Sequence, residues 1–351
     1  MITKVIEISS SCTDIYHTIA PAAQEIKRGG LVVFPTETVY GLGADATNEK
    51  AVAGIYEAKG RPSDNPLIIH ISKPEDAEKY TYTSPVYYLL AQKYMPGPLT
   101  VVLKSRDIVP KRTRGGLDTV AVRCPSDPIA RALISLSGVP IAAPSANISG
   151  SPSPTAPKHV MKDMMGRVDY ILCGGECEVG LESTIVAISE GEDSVTVLRP
   201  GRITPEQIER ETGLRVYVSA QVTEGLKDNE RPLSPGMKYR HYAPHSEVVL
   251  LDGDREKCAE YINKAGQNRI AILSYSEDKV YYSSTVMNAE VVDFGKAEDM
   301  EAHCRLLFNI LRDLDEKDYD TIYAPVPPLS GLGLALYNRM IRAAAHKIIR
   351  L

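Results

Sequence analysis

The feature that most constrains this chain is an alternation: short apolar runs keep recurring, separated by segments whose apolar residues return at helical spacing. "LVVFPT", "NPLIIHI", "LTVVLK", "TVAVRC", "PIAAPSAN", "YILCGG", "STIVAIS" and "SVTVLRPG" have the length of buried strands. "DIYHTIAPAAQEIKRGG" and "NEKAVAGIYEAKG" read as helices, the second with Asn48 as its N-cap and Gly60 as its stop. Strands with helices between them pack as layers, so residues 1–218 are expected to form an α/β domain built on one open, twisted sheet with flanking helices.

The chain has 351 residues, more than a single core usually holds, which predicts two domains. Periodicity lapses over residues 219–244, "SAQVTEGLKDNERPLSPGMKYRHYAP", where charge, Gly and three Pro predict an interdomain linker. Beyond it "EVVLLDG", "RIAILSY", "AEVVDFG" and "YDTIYAPV" alternate with helical segments, including one from about Asp299 to Asp315 and a last from about Gly333 to Ile349. Residues 245–351 are therefore expected to be a smaller, parallel, Rossmann-like α/β domain.

The formal net charge of −5 gives no global basic field, so any site for a polyanion must be local. Six scattered Cys and the lack of a basic-then-apolar leader predict a reduced, cytoplasmic protein. No apolar run approaches the ~20 residues that span a bilayer, so no membrane association is expected.

Common catalytic signatures are missing: the chain has no G-x-x-x-x-G-K-[ST], G-x-S-x-G or H-E-x-x-H. "GLGLAL" puts Leu336 where a dinucleotide fingerprint needs its third Gly, and reads as helix packing. Cys173 and Cys177 lack a second thiol pair or a His at zinc spacing and read as buried thiols, so no protein-ligated metal is expected.

Four stretches invite a functional reading. In "FPTETVYGLGADATN", Thr36, Glu37, Thr38 and Tyr40 follow a strand, with Gly41 and Gly43 keeping the backbone open to a small ligand, although an ordinary turn has the same composition. In "KGRPSDNPLIIHI", Lys59, Arg61, Ser63 and Asn65 offer two cations and two neutral donors to phosphate oxygens, with a solvated helix end as the alternative. "PIAAPSANISGSPSPT" runs from a strand into hydroxyls and amides suited to a polar small molecule. "GLESTIVAI" with "VLRPGRI" adds Ser183, Thr184, Arg199 and Arg202 near strand ends. Since Lys59, Arg61, Arg123, Arg199 and Arg202 all fall near strand ends, one locally positive cavity is the economical account. His70, alternating with apolar residues, suits a core histidine and a ligand contact equally, and His17, His159, His303 and His346 look incidental.

The stretches "FPTETVYGLG", "KGRPSDNPLIIHI", "PGPLTVV", "PSANISG" and "ESTIV" followed by "RPG" resemble, in order, the YrdC-like domain of the L-threonylcarbamoyladenylate synthase family over about residues 15–215. "SPGMKYRHYAP" and the domain after it are similar to the two-domain form. The resemblance implies a nucleotidyltransferase that makes threonylcarbamoyl-AMP and pyrophosphate from ATP, L-threonine and bicarbonate, and the general chemistry of nucleotidyl transfer adds the expectation of Mg²⁺ on the ATP. The product would serve N6-threonylcarbamoyladenosine modification of tRNA, which makes tRNA and downstream threonylcarbamoyl-transferase proteins candidate partners.

Carried over by motif, Lys59, Arg61, Ser63 and Asn65 would form the catalytic tetrad at the nucleotide phosphates. Thr38, His70, Arg123, Ser145 and Ser183 would bind threonine, Arg123 gripping its carboxylate through two hydrogen bonds. Arg61, Asn65, Thr119, Asn147, Thr155, Arg199 and, from the linker, Tyr242 would bind ATP, with Arg240 and His241 equally able to face the site. The linker is expected to fold over the cavity. Two rival readings are a carbamoyl-phosphate-dependent carbamoyl transferase, which would carry C-x-x-C modules absent here, and a non-catalytic RNA-binding protein.

Overall fold

The computed structural model describes residues 1–9, 11–63, 65–224, 242–266, 269–317 and 319–351. Most of the expected linker, with Arg240 and His241, lies outside them. The chain divides into two compact units, residues 1–149 with 153–239, and residues 150–152 with 240–351.

The strands of the first unit are β1 (Lys4–Glu7), β2 (Val32–Phe34), β3 (Gly41–Asp45), β4 (Ile68–His70), β5 (Thr81–Tyr82), β6 (Leu99–Ser105), β7 (Thr119–Arg123), β8 (Ile141–Ala142), β9 (Tyr170–Cys173), β10 (Thr184–Ile188), β11 (Ser194–Arg199) and β12 (Arg215–Val218). Its helices are α1 (Ile15–Lys27), α2 (Glu49–Lys59), α3 (Pro85–Tyr94), α4 (Pro128–Ser137), α5 (Pro157–Met164), α6 (Pro205–Thr212) and α7 (Gln221–Glu224). One mixed sheet runs in the order β1-β9-β2-β3-β8-β4-β7-β6-β10-β11-β12, with β5 paired to β6. It is open, as expected.

Local chemistry sets the elements that carry the site. The Asn48 side chain accepts from the N–H groups of Lys50 and Ala51 at the start of α2, and Gly60 closes it in the left-handed conformation. Lys59 is thereby fixed at the last helical position. At α4, Asp127 accepts from Ile129 and Ala130, and Pro128 opens the first turn. Ile19 and Ile26 of α1, Leu133 of α4 and Phe34 share one apolar layer against the sheet.

The stretch after β2 is not simply an open loop. It turns back as β3, antiparallel to β2, with Phe34 opposite Gly41 and Val32 opposite Gly43. A Cβ on Gly43 would lie 2.7 Å from both Ile141 Cγ2 and Phe34 Cε1. That glycine serves close packing of side chains across the hairpin, not approach by a ligand.

The second unit is built from β13 (Glu247–Asp252), α8 (Arg255–Ala265), β14 (Ile270–Ser274), α9 (Lys279–Thr285), β15 (Ala289–Asp293), α10 (Met300–Asp315), β16 (Thr321–Pro325), α11 (Gly331–Ala343) and β17 (Ile348–Arg350). Its sheet is parallel throughout, in the order β15-β14-β16-β13-β17. The last helix is shorter than the sequence predicts. It stops at Ala343 because Ala345 and His346 take positive φ, and Ile348–Arg350 then pairs with β13 as an edge strand. Among the described residues no helix is long and apolar enough to cross a membrane.

Candidate active site

Strand register lays Ile141, His70, Arg123, Thr100, Ile185 and Arg199 in one row across β8, β4, β7, β6, β10 and β11. In-register neighbours on a sheet project to the same face, so His70, Arg123 and Thr100 are side by side. Arg199 donates through Nε to the Ser183 carbonyl (3.0 Å) and through Nη2 to Ser183 Oγ (3.1 Å). Ser183 Oγ also meets Thr100 Oγ1 at 2.8 Å. Thr100, Ser183 and Arg199 thus form one network, and Thr100, inside "PGPLTVV", sets it in register beside Arg123.

Arg123 Nη2 lies 2.7 Å from Glu37 Oε1, both side chains buried. The N–H is not aimed at the oxygen, so the contact is an ion pair in which both atoms keep hydrogen-bonding capacity. Glu37 Oε2 accepts from the Ser126 N–H at 3.3 Å. On the same loop Thr38 Oγ1 meets Thr36 Oγ1 at 2.8 Å.

Lys59 Nζ donates to the carbonyls of Ser145 (2.5 Å) and Asn147 (2.6 Å) and approaches Asn147 Oδ1 at 3.4 Å. Ser145 Oγ donates to the same Oδ1 at 2.6 Å. The grouping expected within "KGRPSDN" is therefore corrected: the serine and asparagine that meet Lys59 are Ser145 and Asn147. Ser63 is exposed at the surface. The third stretch reaches Lys59 because it is laced to the first. Leu42 N–H donates to Pro144 O, Ala146 N–H to Tyr40 O and Tyr40 N–H to Pro154 O.

Asn65 lies on the side where β4 begins. It is fully buried, and neither its amide oxygen nor its nitrogen has a hydrogen-bond partner. The Tyr56 hydroxyl donates to the Asn65 carbonyl (2.9 Å), and the Arg61 guanidinium lies over the Tyr56 ring, 5.9 Å from its centre. Thr119 opens β7, four residues before Arg123 on the same face, which puts it roughly 13 Å from Arg123. Thr155 is buried, its carbonyl accepting from the Cys177 N–H. His159, which looked incidental, accepts from the N–H groups of Thr155 and Ala156 and so fixes this corner before α5. Tyr242 belongs to the second unit, where its ring packs on Phe308 at 5.2 Å.

Burial, reinforced by the charge on Arg123, pushes His70 down to about 3. The ring is neutral at physiological pH. Its Nδ1 faces the Ile141 carbonyl at 3.3 Å, and since a carbonyl only accepts, Nδ1 carries the proton and Nε2 is left as an acceptor. Burial raises Asp127 to about 6 against the opposing N–H groups of Ala130 and Ile129. It also raises Cys124 and Cys173 to about 11 and Cys177 further. These thiols stay protonated and are unsuited to act as nucleophiles.

Known proteins resemble this chain over most of its length. A family model for Sua5, YciO and YrdC proteins, described as "Telomere recombination", matches residues 24–201, and one described as "Threonylcarbamoyl-AMP synthase, C-terminal domain" matches residues 203–345. The threonylcarbamoyl-AMP synthase of Bacillus subtilis (strain 168) is 43% identical over 337 residues, spanning 95% of this chain and 94% of its own length. The protein of the same name from Pyrococcus abyssi is 43% identical over 340 residues, 94% of each. The crystal structure of P. abyssi Sua5 complexed with L-threonine is similar with a TM-score of 0.89 at 42% identity, covering 99% of this chain and all of that one.

Proposed function

The chain belongs to the threonylcarbamoyl-AMP synthase family, and on that premise we propose that the row across its large sheet is where L-threonine meets ATP. The enzyme makes L-threonylcarbamoyl-AMP from L-threonine, bicarbonate and ATP with release of pyrophosphate, the activated group used for N6-threonylcarbamoyladenosine in tRNA. It acts as a nucleotidyltransferase in the cytoplasm and hands its labile product to a downstream threonylcarbamoyl transferase. The observation that supports this reading most is the adjacency of His70, Arg123 and the Thr100–Ser183–Arg199 network.

In this reading Arg123 holds the threonine carboxylate with the N–H capacity that Glu37 leaves unspent. The neutral His70 offers Nε2 to the amino or hydroxyl group, while Thr38, Ser145 and Ser183 complete the pocket. The threonine amine attacks carbon dioxide, forming the N–C bond and losing a proton, or attacks bicarbonate, whose C–O bond breaks as hydroxide leaves with the amine proton as water. A carbamate oxygen then attacks the α-phosphorus, and the bond to the bridging oxygen of pyrophosphate breaks.

Arg61, Asn65, Thr119, Asn147, Thr155 and Arg199 serve the nucleotide. Lys59 fixes the Ser145–Asn147 segment and, with Arg61, carries positive charge to the phosphates. With the thiols of Cys124 and Cys177 held protonated by burial, catalysis rests on positioning, which supplies roughly 7–11 kcal/mol, and on charge neutralisation. Among the described residues no group of three or more His, Cys, Asp or Glu is placed to hold a metal ion. Mg²⁺ bound to the triphosphate would neutralise phosphate charge there.

The test is an omission series. The purified full chain is incubated with ATP, Mg²⁺, threonine and bicarbonate, each left out in turn, and pyrophosphate and the adenylate mass are followed. The complete mixture alone is expected to yield both. Pyrophosphate release that ignores threonine would overturn the reading, and salt-sensitive RNA binding without any turnover would favour the non-catalytic alternative.

A further inference from the structure

The second unit carries a crevice that the catalytic row does not use. The chain runs through β13, β14 and β15 toward one edge of this sheet, then turns back through β16 to β17. Crossovers between parallel strands are right-handed, so the two directions put α8 and α9 on one face and α10 and α11 on the other. The packing agrees, since α8 and α9 share one apolar layer through Cys258, Ile262, Tyr282 and Val286, while α10 packs on α11. β13 and β16 are neighbours, with Leu250 opposite Ala324, and the segments that follow them leave for opposite faces. That divergence opens a crevice at the carboxyl ends of the strands, the usual ligand position in an open parallel sheet.

The crevice has a volume of about 90 Å³ and an apolar floor that includes Leu251, Ile272, Tyr282 and Tyr323. An apolar cavity of about 150 Å³ takes up benzene, so a smaller space open on one side admits one six-membered ring and not a fused pair. Arg255 and Asp278 also line it, joined by a hydrogen bond from Nη1 to Oδ1 at 3.0 Å. Arg255 is steadied by Glu256, which accepts from its Nε at 2.9 Å, and by the Tyr281 ring 4.8 Å away. Asp278 stands at the N-cap of α9, yet its carboxylate accepts from none of that helix's N–H groups and is turned to Arg255 instead. Among the described residues Arg255 Nη2 and Asp278 Oδ2 have no hydrogen-bond partner, which leaves a donor next to an acceptor. A phosphate is disfavoured here. Asp252, Asp254 and Glu256 flank Arg255, and the thiol of Cys258 on the crevice wall is pushed up by burial, with Asp254, Asp252 and Asp278 adding to the rise. A second cation would compete with Arg255 for Asp278.

We propose that this crevice binds an uncharged pyrimidine ring, as the free base or its nucleoside, which donates to Asp278 and accepts from Arg255. The edge of such a ring carries a donor beside an acceptor, the complement of the pair that Arg255 and Asp278 present. The apolar floor covers the part of the ring that has no hydrogen-bonding groups. The site lies wholly in the second unit and does not rest on the reaction assigned above.

The experiment is calorimetric titration of uridine and of uridine monophosphate into the full-length wild-type chain and into Asp278→Ala, with hydrogen exchange locating the ligand. Wild type is expected to bind uridine and, with it bound, to exchange more slowly over residues 251–258 and 272–282. Asp278→Ala should weaken uridine by at least about 5-fold, and the monophosphate, which adds only negative charge to the same nucleoside, should bind wild type at least about 5-fold more weakly than uridine. A chain that binds no uridine, protection confined to the first unit, or a smaller difference in either comparison would overturn the proposal. If Asp278→Ala does not fold, Arg255→Ala is read the same way, since that side chain is 44% exposed and its loss opens no core.

Discussion

Where β4 and β7 finish, most polar side chains of the site are engaged with the protein, with only the Arg123–Glu37 contact holding hydrogen-bonding capacity back, whereas where β4 begins the Asn65 amide is left unmatched. At the finishing end Thr38 meets Thr36, His70 meets the Ile141 carbonyl, Ser183 meets Thr100 and Arg199, and Arg123 faces Glu37. At the starting end neither amide atom of the fully buried Asn65 has a hydrogen-bond partner among the described residues. The difference matches the two kinds of ligand. A small zwitterion with one hydroxyl must be oriented and discriminated, which favours side chains locked by one another. A polyphosphate brings enough charge to repay donors held in reserve.

The largest effect that tests this division is expected at Arg123. Arg123→Ala removes the proposed carboxylate grip and leaves Glu37 buried without its cation. Truncation of one partner of such a pair costs about 2–5 kcal/mol, so kcat/KM for threonine should fall by roughly 10³-fold. The KM for ATP should move less than about 3-fold. Steady-state kinetics with each substrate varied in turn decides it, and an equal penalty on ATP would show that the two ends are not separate.

How much of this was legible beforehand follows from how local each feature is. Helix α2 could be read outright, since Asn48 and Gly60 are its own punctuation, and that reading placed Lys59 at a helix end. The partners of Lys59 could not, because Ser145 and Asn147 lie more than eighty positions away and are brought in by hairpin β2–β3 pairing onward to residues 144–146. β3 itself, "GLGAD", lacks the β-branched residues that mark a strand. The row from His70 to Arg199 is a matter of register across strands distant in sequence, which no periodicity encodes.

A middling effect is expected from pH, and it concerns the engaged end alone. The folded His70 titrates at about 3, below its ordinary value near 6.5. Between these values the unfolded chain binds the extra proton, so the contribution to stability is intact above pH 6.5 and is lost as pH falls toward 3. At pH 5 the loss amounts to about 2 kcal/mol. Asp127, raised to about 6, stabilises the fold as pH falls over the same range, so the His70 share is read as the difference between wild type and His70→Gln in urea unfolding at pH 7.5 and pH 5.0, wild type losing about 2 kcal/mol more. An identical drop in the variant would mean that His70 is not the group being protected from protonation, and that the engaged end holds no neutral imidazole.

The smallest effect is expected at Ser183, and it probes the seam between the two ends. Ser183 Oγ touches Thr100, in register with Arg123, and it also accepts from Arg199, which is assigned to the nucleotide. Ser183→Ala deletes one hydrogen-bonding group and leaves Arg199 anchored through Nε on the Ser183 carbonyl, a backbone atom that the substitution keeps. One lost neutral hydrogen bond is worth about 1 kcal/mol, so the KM for threonine should rise roughly 5- to 10-fold. Because the backbone anchor persists, the KM for ATP should stay within about 2-fold of wild type. If it rises in step with threonine, Arg199 is held chiefly through the hydroxyl, and the engaged network extends into the nucleotide side of the site. The boundary between the matched and unmatched ends would then lie beyond Arg199, with Asn65 on the far side of it.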